Sequence, residues 1–184
     1  MLRKIIRKRK AQVWIETVIY TLIGLTIIGL VLAFAKPKIE EMRDKAIIDQ
    51  TIEALNSLDN TISEIIISPG NVRVIGFSLR RGKLTINPLE DKIEFVLTDS
   101  KLIYSEPDKE ISKGSLSLGN LFVKTESKGN LNDIKVWLIY GNEINITYGG
   151  IESEKVLQQA STPYNIRIEN RGLIGTGHNI DITS

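Results

Sequence analysis

The sequence predicts an α+β protein, with one long N-terminal helix packed on an antiparallel, β-rich, sandwich-like C-terminal domain. Three observations carry this. Residues 13–35 form an apolar run of 23 residues. From there to Ser68-Pro69-Gly70, apolar residues recur every three or four positions. From Asn71 onward the period falls to about two, with turn residues at short intervals. A chain of 184 residues suits one domain with an appendage. Its 42% hydrophobic and 25% charged content excludes wholesale disorder.

The predicted order is a basic segment at 1–11, a helix over 12–68, and a β-rich domain over 69–184. Arg3, Lys4, Arg7, Lys8, Arg9 and Lys10 place six of the 24 basic residues in the first ten positions. Without them, 18 basic residues face 22 acidic ones, so the formal charge of +2 becomes −4. The basicity of the chain is therefore local, and it gives no support to a nucleic-acid partner. Cysteine is absent, which excludes disulfide staples, thiolate metal sites and a cysteine nucleophile.

As a helix, residues 13–35 span roughly 35 Å at about 1.5 Å per residue, enough to cross a hydrocarbon core of about 30 Å. The cationic flank orients the N-terminus to the cytoplasm and the remainder outside. Trp14 falls near the cytoplasmic interface, and Gly24 and Gly29 thin the helix for close approach of another. A conventional secretory signal has a shorter apolar region, although Ala33-Phe34-Ala35 resembles its cleavage site. Pro37 predicts a kink near 33–37. Beyond it, Ile39, Met42, Ala46, Ile48, Ile52, Leu55, Leu58, Ile62 and Ile65 form the stripe of an amphipathic half, 36–68, that faces the domain.

The strand candidates follow in order. Residues 72–79 form the first, and Arg80-Arg81-Gly82-Lys83 turns the chain into 84–87. Residues 92–98 and 102–104 come next, followed by a charged loop between Pro107 and Gly114. Residues 115–124 and 133–140 flank a turn at Lys128-Gly129-Asn130. Gly141-Asn142 reads as a tight hairpin into 143–148. Residues 152–160 read as a short helical turn or loop. Ile166, Ile168, Ile180 and Ile182 mark two final strands around 172–177.

Glu16 is the one ionisable group in the apolar run. A carboxylate at the centre of a membrane helix costs about 2.5–3.5 kcal/mol, and less near an end. Either it reaches water at the cytoplasmic interface or it has a partner. Arg9-Lys10-Ala11, then Gln12-Val13-Trp14-Ile15-Glu16-Thr17, then the apolar run, resembles the type IV pilin superfamily, specifically archaeal pilin or archaellin-like precursors with a class III signal peptide. The resemblance covers residues 1–70, and Ala11 replaces the glycine common before the cut in bacterial relatives. It implies that a prepilin peptidase removes a leader of residues 1–11 between Ala11 and Gln12. It also implies that the retained helix polymerises with identical or related subunits at a pilus assembly machinery in the membrane. Glu16 then becomes the fifth mature residue, with an assembly and register role opposite the α-amino group of a neighbouring Gln12. The implied function is a structural subunit of a cell-surface filament, serving adhesion or surface attachment, with a motility filament secondary. The alternative is an uncleaved single-pass anchor displaying a β-domain as a binding or envelope-complex subunit.

No motif supports an enzyme or a cofactor. His178 reads as a loop residue and cannot alone make a metal site. Glu90-Asp91 and the acidic residues of 106–110 lack EF-hand spacing and read as solvated turns. Residues 172–177 lack the Lys and Ser/Thr of a phosphate loop. Arg80-Arg81 lacks aromatic neighbours for a nucleic-acid platform. Asn145-Ile146-Thr147 is the one N-glycosylation sequon and marks Asn145 as a possible modification site.

Overall fold

The computed structural model describes residues 3–184, with side chains from Val13 onward except that of Ser115. One long helix precedes ten strands in two sheets. Helix α1 runs Arg3–Ile65 and includes Pro37. Proline removes one intrahelical donor, and the helix continues through it. Two compact units divide at Glu40/Glu41, so α1 contributes to both.

In the first unit, the described side chains up to residue 35 are almost all exposed. Trp14 is 70% and Phe34 78% accessible. This is one helix long and apolar enough to cross a membrane, with none of its most apolar stretch buried by the chain itself. Its threonine hydroxyls are satisfied internally. Thr17 donates to the Val13 carbonyl at 2.9 Å, Thr21 to Thr17 at 2.8 Å and Thr26 to Leu22 at 2.7 Å. No polar hydrogen on these side chains then requires water, as an apolar surrounding demands.

In the second unit, the helix buries a stripe at Ile48, Leu55, Leu58, Ile62 and Ile65. Each such side chain contributes roughly 1.5–3 kcal/mol of burial before ordering costs. The stripe differs from the predicted one at its start. Ile39 and Met42 are exposed, and the first buried position is Asp44. Helix α1 also ends at Ile65 rather than at 67 or 68. The stop is made by tertiary contact: buried Asn170 donates through Nδ2 to the carbonyls of Ile65 at 3.0 Å and Ile66 at 3.1 Å. Terminal helix carbonyls lack partners within the helix, and a side chain from the sheet supplies one here.

The strands are β1 (Val72–Phe77), β2 (Lys83–Asn87), β3 (Lys92–Ser100), β4 (Glu110–Ser115), β5 (Asn120–Lys128), β6 (Leu131–Ile139), β7 (Ile144–Tyr148), β8 (Lys155–Gln158), β9 (Tyr164–Ile174) and β10 (Gly177–Thr183). One sheet has the order β1-β9-β10-β7, the other β4-β5-β6-β3-β2-β8. All pairings are antiparallel except β7 with β10. Alternate residues of both sheets point inward, Ile166, Ile168, Ile180 and Ile182 from one and Ile93, Phe95, Leu121 and Val136 from the other. They join the helix stripe in one core. The architecture is α+β, as the switch of period predicts.

Four connections differ from the sequence reading. Gly141-Asn142 is not a hairpin: β6 lies in the six-stranded sheet and β7 in the four-stranded one, so this segment carries the chain across. Residues 102–104 are not a strand. Leu102 is buried there, and its amide donates to Ser100 Oγ at 3.0 Å. The charged loop before Gly114 contains the edge strand β4, and the loop after Glu152 contains β8. Both are polar edge strands, so neither shows the apolar alternation of a half-buried one.

Candidate functional site

The sequence-predicted processing residues Ala11 and Gln12 lie where the structure describes no side chains. Glu16 is described, and it is exposed on the apolar part of α1. Apolar neighbours such as Ile15, Ile19, Tyr20 and Ile23 are exposed with it. Residues 13–35 therefore present a helical surface that is apolar on all sides, interrupted by a single carboxylate. Such a surface is stable in lipid or among other apolar helices, and costly in water.

Residues 41–65 hold the β-domain through polar anchors set within the apolar stripe. Asp44 is buried and accepts from Ser100 Oγ at 2.6 Å and from the Arg81 guanidinium. Arg81 also donates to the carbonyls of Thr98 and Asp99, each at 3.3 Å. One turn and a half later, Asp49 accepts from Tyr104 Oη at 2.9 Å. Burial and this carboxylate push the Tyr104 phenol up to about 12. Asp59 is fully buried and accepts from the amides of Leu118 at 3.1 Å and Gly119 at 2.9 Å. Burial, then the charge of Asp59, raises the Tyr140 phenol well above its ordinary value. A Cβ at Gly119 would lie 2.6 Å from Leu138 Cδ1 and 3.1 Å from Tyr140 Cε1, so the absence of a side chain lets this turn lie close against the end of β6.

The sequence reading does not single out these anchors, though a signal exists. Asp44 and Asp59 keep the spacing of the stripe, four before Ile48 and four after Leu55. An acid on the apolar face of a helix calls for a donor on whatever that face meets.

Asn145 lies on β7, half-buried, its Nδ2 3.4 Å from Asn179 Oδ1. Thr147 of the same sequon is buried, its hydroxyl donating to Asp181 Oδ1 at 2.9 Å. Asp181 also accepts from the Gly150 amide at 2.6 Å and pairs with Arg171 at 2.6 Å. The sequon is thus built into a polar ladder on one sheet face. His178 lies in β10 rather than in a loop, with a partly buried side chain. In the acidic turns, Glu90 pairs with Lys92 at 2.9 Å and Glu106 with Lys109. Among the described residues, no three His, Cys, Asp or Glu side chains are grouped to hold a metal ion.

Comparison of the chain with protein-family models, curated proteins and solved structures gave no match.

Proposed function

We propose that the chain is a structural subunit of a type IV pilus-like surface filament. A prepilin peptidase cuts it between Ala11 and Gln12, and it polymerises through the apolar part of α1. One observation carries the reading: residues 13–35 keep their apolar side chains exposed on every side of the helix. Lipid covers that surface before assembly, and like helices cover it afterwards, exchanging lipid contact for side-chain packing. Repetition of one heterologous contact gives open helical growth. The leader sequence and Glu16 at the fifth mature position support the same reading. The β-domain faces outward and serves adhesion or surface attachment.

The same exposed helix also suits an uncleaved single-pass anchor, and one measurement separates the two. Intact mass analysis of the native protein is expected to show a chain beginning at Gln12, as the free amine or its cyclised form. A start at Met1 or Leu2 would overturn the filament reading in favour of the anchor. In sheared surface fractions, the chain is expected in filaments, and Glu16→Ala is expected to abolish them while leaving the membrane pool intact. Unchanged filament yield with Glu16→Ala removes the assembly role from that residue.

A further inference from the structure

The four-stranded sheet has two edges, β7 and β1, and the fold treats them differently. On β7, His178 N donates to the Glu143 carbonyl and Gly149 N to the Ile182 carbonyl, so residues 143, 145, 147 and 149 face β10. Ile144, Ile146 and Tyr148 therefore point their amides outward, and each amide is taken. Ile144 donates to the Gly141 carbonyl at 3.1 Å, Ile146 to Asp91 Oδ1 at 2.7 Å and Tyr148 to the Ile151 carbonyl at 3.0 Å. That edge has no amide left to offer a further strand.

On β1, the Asn170 amide donates to the Asn71 carbonyl at 3.0 Å, in step with the register that sets Val72 opposite Glu169. Asn71, Arg73, Ile75 and Phe77 thus face β9, and Val72, Val74 and Gly76 turn both amide and carbonyl away from it. Among the described residues, nothing accepts from those three amides, and the one engaged carbonyl is that of Val72, bound by Arg73 Nη1 at 3.1 Å. Arg73, Val74 and Gly76 are exposed, Val74 at 60%. At the Gly76 end, a concavity of about 330 Å³ lies between residues 76–78 and Ile47, Gln50, Thr51 and Ala54 of α1, so the helix does not seal this edge. The edges of the other sheet are guarded: β4 carries Lys113 and a bulge between Ser112 and Gly114, and β8 has four residues beginning with Lys155. β1 has no proline, lysine or bulge.

We propose that β1 is an interface between two copies of this chain, pairing antiparallel with β1 of a second copy about a two-fold axis at Val74. The strand is complementary to itself in that register. Val74 meets Val74 of the second copy, Val72 meets its Gly76, and Gly76 meets its Val72, so every outward amide finds an outward carbonyl. The exposed Val74 side chain is covered by its own copy, and Arg73 falls opposite Ile75 rather than a like charge. Moving the axis to Arg73 opposes two guanidinium groups and leaves Gly76 without a strand partner. Moving it to Ile75 leaves Val72 without one. The Arg73 guanidinium releases the Val72 carbonyl to the incoming Gly76 amide. Such a contact closes on itself and joins two chains and no more. It does not depend on polymerisation through α1.

The chain has no cysteine, so single cysteines report the register without background. The test oxidises full-length Val74→Cys, in native membranes and in detergent micelles, and reads the disulfide-linked dimer. Side chains directly opposite lie about 5 Å apart at Cβ, within disulfide reach. Two Val72→Cys chains hold their cysteines four residues out of step, about 14 Å apart, and are expected to give at least about tenfold less dimer. Leu89→Cys, exposed and outside β1, is expected to give the same low yield. Gly76→Pro removes an outward amide and spares the ladder to β9, so adding it to Val74→Cys is expected to cut the yield about tenfold with thermal unfolding little changed. Glu16→Ala is expected to leave the yield unchanged, which separates this contact from assembly through α1. Where Gly76→Pro does not fold, the comparison of Val74→Cys with Val72→Cys still decides. Equal yields from those two, an unchanged yield in folded Gly76→Pro, or capture of a different protein in place of a second copy overturns the proposal.

Discussion

Replacing Asp59 with alanine is expected to loosen the β-domain from its helix by a measurable amount. Asp59 is fully buried and accepts the amides of Leu118 and Gly119. A hydrogen bond to a charged acceptor contributes about 1.5–3 kcal/mol, so the two together are worth about 3–6 kcal/mol gross. Removing the carboxylate also removes its own desolvation cost, which returns part of that sum. Both amides are then left without an acceptor, and Gly119 is too enclosed to recruit water cheaply. The net loss is expected to be about 3 kcal/mol, against a total of about 5–15 kcal/mol for a typical domain. Asp59→Asn keeps one carbonyl acceptor and is expected to lose about half as much. Urea unfolding of the full-length chain in detergent, followed by tryptophan fluorescence, measures the loss as a midpoint shift of roughly 1–2 M. Native-state hydrogen exchange localises it, with the Gly119 amide expected to lose protection first. A loss below about 1 kcal/mol, or unchanged Gly119 exchange, would refute the reasoning.

Gly82→Ala is expected to cost at least about 2 kcal/mol: φ is +86° there, and a Cβ would meet the Val96 carbonyl oxygen at 2.6 Å and the Phe95 ring at 2.8 Å. Thermal unfolding checks it, and a neutral result would show that the β1–β2 turn relaxes freely. Tyr104 is held up by burial and by Asp49, so its contribution to stability is complete below pH 10 and is lost as pH rises through about 12. Tyr104→Phe is expected to remove part of the most alkaline phenolate absorbance and that part of the pH dependence. The hydrogen bond from Lys135 holds the Glu126 carboxyl below its ordinary 4.5. Its contribution is present above pH 4.5 and fades as pH falls through the lower folded value, so Glu126→Gln is expected to flatten the acid limb of a stability–pH curve. Asn145 and Thr147 are hydrogen-bonded within the folded sheet. Any glycan on Asn145 is therefore expected on chains modified before folding, and peptide mass analysis of refolded protein exposed to the modifying enzyme is expected to show none.

The helix was legible in the sequence because its signals are local. The apolar run, the spacing of Ile48, Leu55, Leu58, Ile62 and Ile65, and the breakers after Ile67 all lie within a few turns of each other. Glu16 stood out for the same reason, as one charge in an apolar field. What was not legible depends on distance. Asp59 meets amides 59 and 60 residues away, and Asn170 caps a helix more than 100 residues upstream. Gly141-Asn142 misleads because a two-residue turn carries the same residues whether the chain folds back on its own sheet or enters the other. The short polar edges β4 and β8 bury too little to leave a period.

The order of strands also sets a sequence in time. Strand β1 pairs with β9 alone, Val72 opposite Glu169, and β2 lies between β3 and β8 with Lys83 opposite Gln158. Such distant pairings close long loops before any contact repays them, so folding is slow for a chain of this size. A chain emerging in order shows its helix first and closes both sheets last. Until β9 arrives, the end of α1 has no cap and the stripe from Ile48 to Ile65 has an incomplete partner. Whatever handles this protein as it is made must shelter an apolar helix face for the whole of that interval.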